Sequence, residues 1–128
     1  MADLPDVNIH TIEFVPLHFS EASLTMTLFM PTASGRVIGR GDITRSLDPN
    51  LPPAHIPQLT GQIIPAGDGS RLLHVAGQYI DTAPPPATGS IVGQFSASAT
   101  IDDQWAGRGS FIYGSWEVAP CVVQETGA

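Results

Sequence analysis

The 128-residue chain is predicted to form one all-β domain: an antiparallel meander of about seven or eight strands, forming a small barrel or a tight sandwich. Three observations predict this class. Apolar and polar side chains alternate along most segments, and no window carries a convincing helical stripe. Twelve prolines and 13 glycines provide frequent turns. The length suits a single domain over residues 1–128, large enough for one hydrophobic core without disulfides or metal.

The predicted strands are short runs that alternate or are rich in β-branched and aromatic residues. The clearest run places Leu24, Met26, Leu28 and Met30 on one apolar face. The other strands are predicted at 9–19, 36–45, 58–64, 71–81, 91–101 and 109–119, with residues 1–8 and 120–128 as flexible termini.

Turns and loops are predicted where glycine, proline, aspartate and serine cluster between these runs. Turns are expected at 32–35, 67–70 and 102–107. Longer loops are expected at 48–57 and 82–87, because proline lacks the backbone donor that a strand interior needs.

Glycines recur in phase with the apolar faces of the middle strands, at Gly39, Gly61, Gly77 and Gly93. Glycine weakens a strand unless the sheet bends tightly or another backbone approaches closely. We therefore expect a curved, closed or nearly closed sheet. The alternative is that these glycines open a ligand cavity inside a barrel.

Four segments also resemble a known family. They are 14–17 (FVPL), 30–32 (MPT), 35–44 (GRVIGRGDIT) and 48–49 (DP). Together they resemble the bacterial family catalogued as domain of unknown function 1842. This resemblance implies a small bacterial β-domain without an assigned activity. The proline-rich segment 82–87 has no counterpart in the pattern.

The charge balance excludes several partners. The five basic residues are all arginine, and twelve acids give a net charge of −7 at pH 7. Nucleic acids and anionic membrane surfaces need a positive patch, so neither is an expected partner. No apolar run is long enough for a membrane span, and residues 1–8 do not resemble a signal peptide. We expect a cytoplasmic protein, with non-classical secretion left open.

The sequence favours no enzyme class. Its four histidines lack zinc-type spacing, and no Gly-x-Ser-x-Gly elbow is present. The one cysteine, Cys121, has no nearby basic residue to lower its thiol pKa and no partner for an internal disulfide. We therefore predict no catalytic residue, no metal and no cofactor.

The candidate ligand site is the acidic turn formed by Asp102, Asp103, Gln104 and Trp105. A tryptophan face beside carboxylates can stack on a sugar or a cationic group, and the carboxylates could join a calcium shell. Alternatively, Trp105 folds back as a plug over one barrel end. Trp116 aligns with Ile112 and Val118, so it is predicted to be a core residue.

Three functional hypotheses follow. The favoured one is a non-catalytic binding or interaction module with a carbohydrate or protein partner. The second is a ligand carrier or small enzyme with a pocket inside the barrel, to which His74 or an acidic loop residue would give polarity. The third is an oligomer-forming structural protein that pairs through exposed strand edges.

Overall fold

The fold is a closed, eight-stranded antiparallel β-barrel, seen in a computed structural model that describes residues 7–17, 22–31, 35–44, 54–82 and 90–126. The predicted all-β meander is confirmed, and it closes as a barrel because β8 pairs with β1. No helix in these ranges is long and apolar enough to cross a membrane. The strands are β1 Val7–Pro16, β2 Ser23–Pro31, β3 Arg36–Thr44, β4 Ala54–Pro65, β5 Arg71–Thr82, β6 Ser90–Ile101, β7 Gly107–Tyr113 and β8 Trp116–Glu125.

The barrel interior is filled by the apolar side chains that alternate along the strands. Leu24, Met26 and Leu28 are fully buried, as the alternation of apolar and polar residues along β2 predicts. Met30 is partly buried and packs against the core cluster. Phe14 and Phe111 meet edge to face, with ring centroids 6.2 Å apart. Among the described residues no buried side chain is polar or charged. The interior is therefore an apolar core.

Two bulges shift the phase of the alternation and so decide which residues face inward. In β4 the buried positions run Ala54 and Ile56, then Leu59 and Ile63, because one extra residue stands at 57–58. In β8 a similar shift at 119–120 separates the buried Val118 from the later buried positions of that strand. The predicted loop 48–57 is wrong for 54–57, since a bulge accommodates a proline within a strand.

The run predicted at 109–119 is two strands, not one. Gly114 and Ser115 form a two-residue connection between β7 and β8, and Gly114 has a φ of +63° at its first position. Residues 120–125, which were expected to begin a flexible tail, belong to β8, and 121–125 pair with β1 in the ladder that closes the barrel.

The phased glycines bring backbones and rings together. A Cβ at Gly39 or Gly61 would overlap a backbone carbonyl oxygen on the adjacent strand, and one at Gly93 would overlap the Tyr79 ring. These positions therefore allow close strand approach and ring packing, as the curvature interpretation predicts.

The described turns follow the local sequence. The turn at 67–70 is confirmed, and Asp68 accepts hydrogen bonds there from the hydroxyl and the backbone N–H of Ser70. These hydrogen bonds lower the pKa of Asp68. Residues 32–34, 45–53 and 83–89 lie outside the described ranges, which leaves most of the two predicted proline-rich loops unassessed.

Candidate functional site

The predicted acidic turn is a closed hydrogen-bonded structure between β6 and β7. Asp102 Oδ1 accepts hydrogen bonds from the backbone N–H groups of Gln104 at 2.8 Å and Ala106 at 3.0 Å. These bonds, with a smaller contribution from the Arg71 charge, lower the pKa of Asp102. Arg71 also donates a hydrogen bond to the Asp102 carbonyl oxygen at 2.7 Å. The Asp102 carboxylate therefore shapes the turn.

Trp105 plugs the barrel end beside this turn. Its side chain belongs to the buried core cluster, the residue is only 4% exposed, and its backbone φ is +62°. The ring stacks on His10 with centroids 4.2 Å apart, and the Arg71 guanidinium carbon lies 5.0 Å from its centroid. His10 is held in turn by Glu125, with 2.5 Å between Nδ1 and Oε2. Stacking on a sugar needs an exposed ring face, which Trp105 does not offer.

Asp103 and Gln104, the other two residues of the predicted site, are exposed at the turn. Gln104 lines an open cavity of about 630 Å³ together with Ile9, Thr11 and Ala106. The four residues thus share one turn without presenting one binding surface: one carboxylate is engaged by backbone donors, one ring is buried, and two side chains point to solvent.

The prediction that Trp116 is a core residue is wrong. It is 67% exposed, and Ile112, with which it was aligned, is 39% exposed. Trp116 is the first residue of β8 and forms the last pair of the hairpin with Tyr113, where few side chains remain to cover it. Alternation alone therefore misassigned a residue at a strand end.

A second region, on the outer wall of the barrel, has the shape of a binding site. A depression of about 770 Å³ crosses β3 to β7, within the size range of about 300–1,000 Å³ that is usual for small-molecule sites. We call it the outer groove. Gly61 and Gly109 line it, and a Cβ on either glycine would overlap a carbonyl oxygen of the adjacent strand. Glycine therefore permits the close approach of the strands beneath the groove.

Strand register arranges the groove side chains in two rows. The first row pairs Arg36 with Gln62, Gln62 with His74, and His74 with Ser98. The rows lie two residues apart along the strands. The second row consists of Ile64, Leu72, Thr100 and Arg108, each paired with the next across one strand boundary.

The second row changes from apolar to cationic along its length. Ile64 is 50% exposed and Leu72 47% exposed, so both present hydrocarbon to the groove. At the other end stands the exposed Arg108, which makes no hydrogen bond or ion pair within the described ranges. Among the described residues no aspartate or glutamate lines the groove, whereas two of the five arginines do.

His74 and Ser98 share a side-chain hydrogen bond inside the groove, with 2.8 Å between Nδ1 and Oγ. A serine beside a histidine can be an activated nucleophile when a third group orients the imidazole and free donors receive an oxyanion. The described lining of the groove includes no carboxylate, and the backbone donors of these strands are engaged in the sheet. The pair therefore contributes polarity and hydrogen-bonding capacity.

No group of three or more histidine, cysteine, aspartate or glutamate side chains suited to a metal ion occurs among the described residues. Cys121 is fully buried and its thiol donates a weak hydrogen bond to the Val118 carbonyl oxygen at 3.5 Å. Its thiol is thus shielded from solvent.

The outer groove was missed because its members are distributed from residue 36 to residue 109. A sequence signal existed: Ile38, Ile64 and Leu72 occupy outward positions where a half-buried strand normally carries polar residues. Recognising them as neighbours requires the register of five strands.

No protein-family model matches the chain, and no curated protein is significantly similar to it. The resemblance to domain of unknown function 1842 therefore stays a prediction.

Proposed function

We propose that the protein is a non-catalytic binding module whose ligand lies in the outer groove. The observation that carries this proposal is the combination, in one depression of about 770 Å³, of half-exposed aliphatic side chains with hydrogen-bonding and cationic ones. Small-molecule sites combine apolar surface with a few placed polar groups in this way.

The other sequence-based hypotheses have less support. A carrier pocket inside the barrel needs space and convergent polar groups, whereas the described interior is apolar and packed. Oligomerisation through strand edges needs an unpaired edge, and each of the eight strands is paired on both sides. Sugar stacking at the predicted site needs the Trp105 ring, which is buried.

The proposal is tested by filling the groove. Ser98→Phe places a ring on the groove floor, while Ser96→Phe places the same ring on the same outer face of β6, outside the groove. The probes are 8-anilinonaphthalene-1-sulfonate and its uncharged analogue N-phenyl-1-naphthylamine, titrated by isothermal calorimetry. We expect Ser98→Phe to lower the affinity for both probes by about tenfold or more, because the added ring prevents the probes from burying apolar surface in the groove.

Ser96→Phe controls for the added hydrophobic surface and is expected to change either affinity by less than about twofold. Circular dichroism checks that both variants remain folded. Equal effects of the two substitutions would show that the probes do not occupy the groove and would refute the proposal.

A further inference from the structure

The charge of the outer groove is opposite to that of the protein as a whole. The chain has a net charge of −7, yet the described lining of the groove contains Arg36 and Arg108 and no aspartate or glutamate. Local positive charge in a concave, partly apolar surface concentrates anions despite repulsion from the rest of the molecule. The groove is therefore suited to an anionic ligand.

The second row of groove residues determines the orientation that a bound anion would take. It begins with the hydrocarbon of Ile64 and Leu72 on β4 and β5, continues through the hydroxyl of Thr100, and ends at the Arg108 guanidinium on β7. Three strand spacings of roughly 4.8 Å put about 14 Å between its ends. A ligand that spans the row needs an apolar body and a polar head at this separation.

Arg108 determines the chemistry of the head. Its guanidinium is exposed and has no protein partner within the described ranges, so its donors remain available. A guanidinium matches the planar or tetrahedral oxygen arrays of carboxylates, sulfonates and phosphates. The Thr100 side chain lies beside it in register and can add a hydroxyl donor.

We propose that the outer groove selects small amphipathic organic anions, with the anionic head at Arg108 and the apolar body on Ile64 and Leu72. This inference rests on the proposed function, because it names the ligand class of the same groove. The ligand is a free monomer rather than a bilayer lipid. The cavity volume suits one small molecule, and the net charge of −7 opposes approach to an anionic membrane.

The test removes the charge and compares the two probes. Arg108→Gln is titrated with 8-anilinonaphthalene-1-sulfonate, which carries a sulfonate, and with N-phenyl-1-naphthylamine, which has the same rings without it. We expect about a tenfold loss of affinity for the sulfonate and less than a twofold change for the neutral amine, because only the sulfonate makes charge-assisted hydrogen bonds. Raising the salt concentration from 0.05 M to 0.5 M is expected to lower the affinity for the sulfonate probe more than the affinity for the neutral amine.

Arg40→Gln is the matched control. Arg40 is exposed on the outer face of β3 and lies outside the groove lining, so the same charge change there is expected to alter sulfonate affinity by less than about twofold. Equal losses in both arginine variants would show a general charge effect and overturn the anion selectivity.

Further outcomes separate this inference from the proposed function. If Ser98→Phe weakens both probes while Arg108→Gln leaves the sulfonate unchanged, groove binding stands and anion selection is refuted. If Ser98→Phe has no effect on either probe, both proposals are refuted. Binding to phosphatidylglycerol vesicles that the monomeric sulfonate cannot displace would refute the free-monomer assignment.

Discussion

The acidic turn at 102–106 and the outer groove both combine charged and apolar side chains, but they differ in whether those groups are already satisfied. In the turn, Asp102 receives two backbone N–H groups, Arg71 donates to a carbonyl oxygen, and Trp105 is 4% exposed. In the groove, Arg108 has no partner within the described ranges and Leu72 is half exposed. Groups that satisfy one another stabilise the fold, whereas unsatisfied groups in a concavity favour ligand binding.

The largest effect is expected from removing the ring of Trp105. Trp105→Ala deletes the packing on His10 and Arg71 at the barrel end, and we expect a loss of about 3 kcal/mol in the free energy of unfolding. Urea denaturation measures the loss, and calorimetry on the folded protein should show unchanged binding of both probes in the groove.

Trp116→Ala is the control, because Trp116 is 67% exposed. Its expected effect on the free energy of unfolding is within about 0.5 kcal/mol. A loss of ligand affinity in Trp105→Ala, with stability unchanged, would reverse the roles assigned to the two regions.

A smaller effect is expected from neutralising Asp102. The folded-state pKa of Asp102 is lowered by the N–H groups of Ala106 and Gln104, so its carboxylate stabilises the fold above the ordinary pKa of 3.8. That contribution is lost as the pH falls through the lowered pKa. Asp102→Asn should therefore lower the urea midpoint at pH 7, and the difference from wild type should shrink when the pH is reduced to about 2.

Asp103→Asn is the matched control, since Asp103 is exposed in the same turn. We expect its urea midpoint to follow the wild type at both pH values. A pH-independent difference for Asp102→Asn would mean that the charge of the carboxylate has no part in holding the turn.

The smallest effect is expected from reducing the apolar surface of the groove. Ile64→Thr removes apolar surface from the groove while keeping a β-branched residue, and Ile80→Thr makes the same change outside it. We expect about a threefold loss of affinity for N-phenyl-1-naphthylamine in Ile64→Thr alone, measured by calorimetry. Equal affinities in the two variants would exclude Ile64 from the ligand contact.

The predictability of the two regions follows from how they are assembled. The turn is contiguous, so its polar residues and its position between two strands could be identified from the sequence, and the plug was one of two alternatives for Trp105. Choosing between them required the fold, because only the closed barrel brings His10 and Arg71 to the ring. The groove could not be predicted, because Ile64 and Arg108 become members of one row only through three strand pairings.

The alternation of apolar and polar residues in the sequence determined that this protein is all-β and that Leu24, Met26 and Leu28 form a core face. The glycines on the apolar faces determined where neighbouring strands approach closely. These properties depend on residues that are close together in the sequence. The tertiary structure decided that the sheet closes, that bulges at 57–58 and 119–120 switch which residues face inward, and that a groove crosses five strands. Those outcomes depend on strand register, in which a shift of one residue exchanges the two faces of a strand.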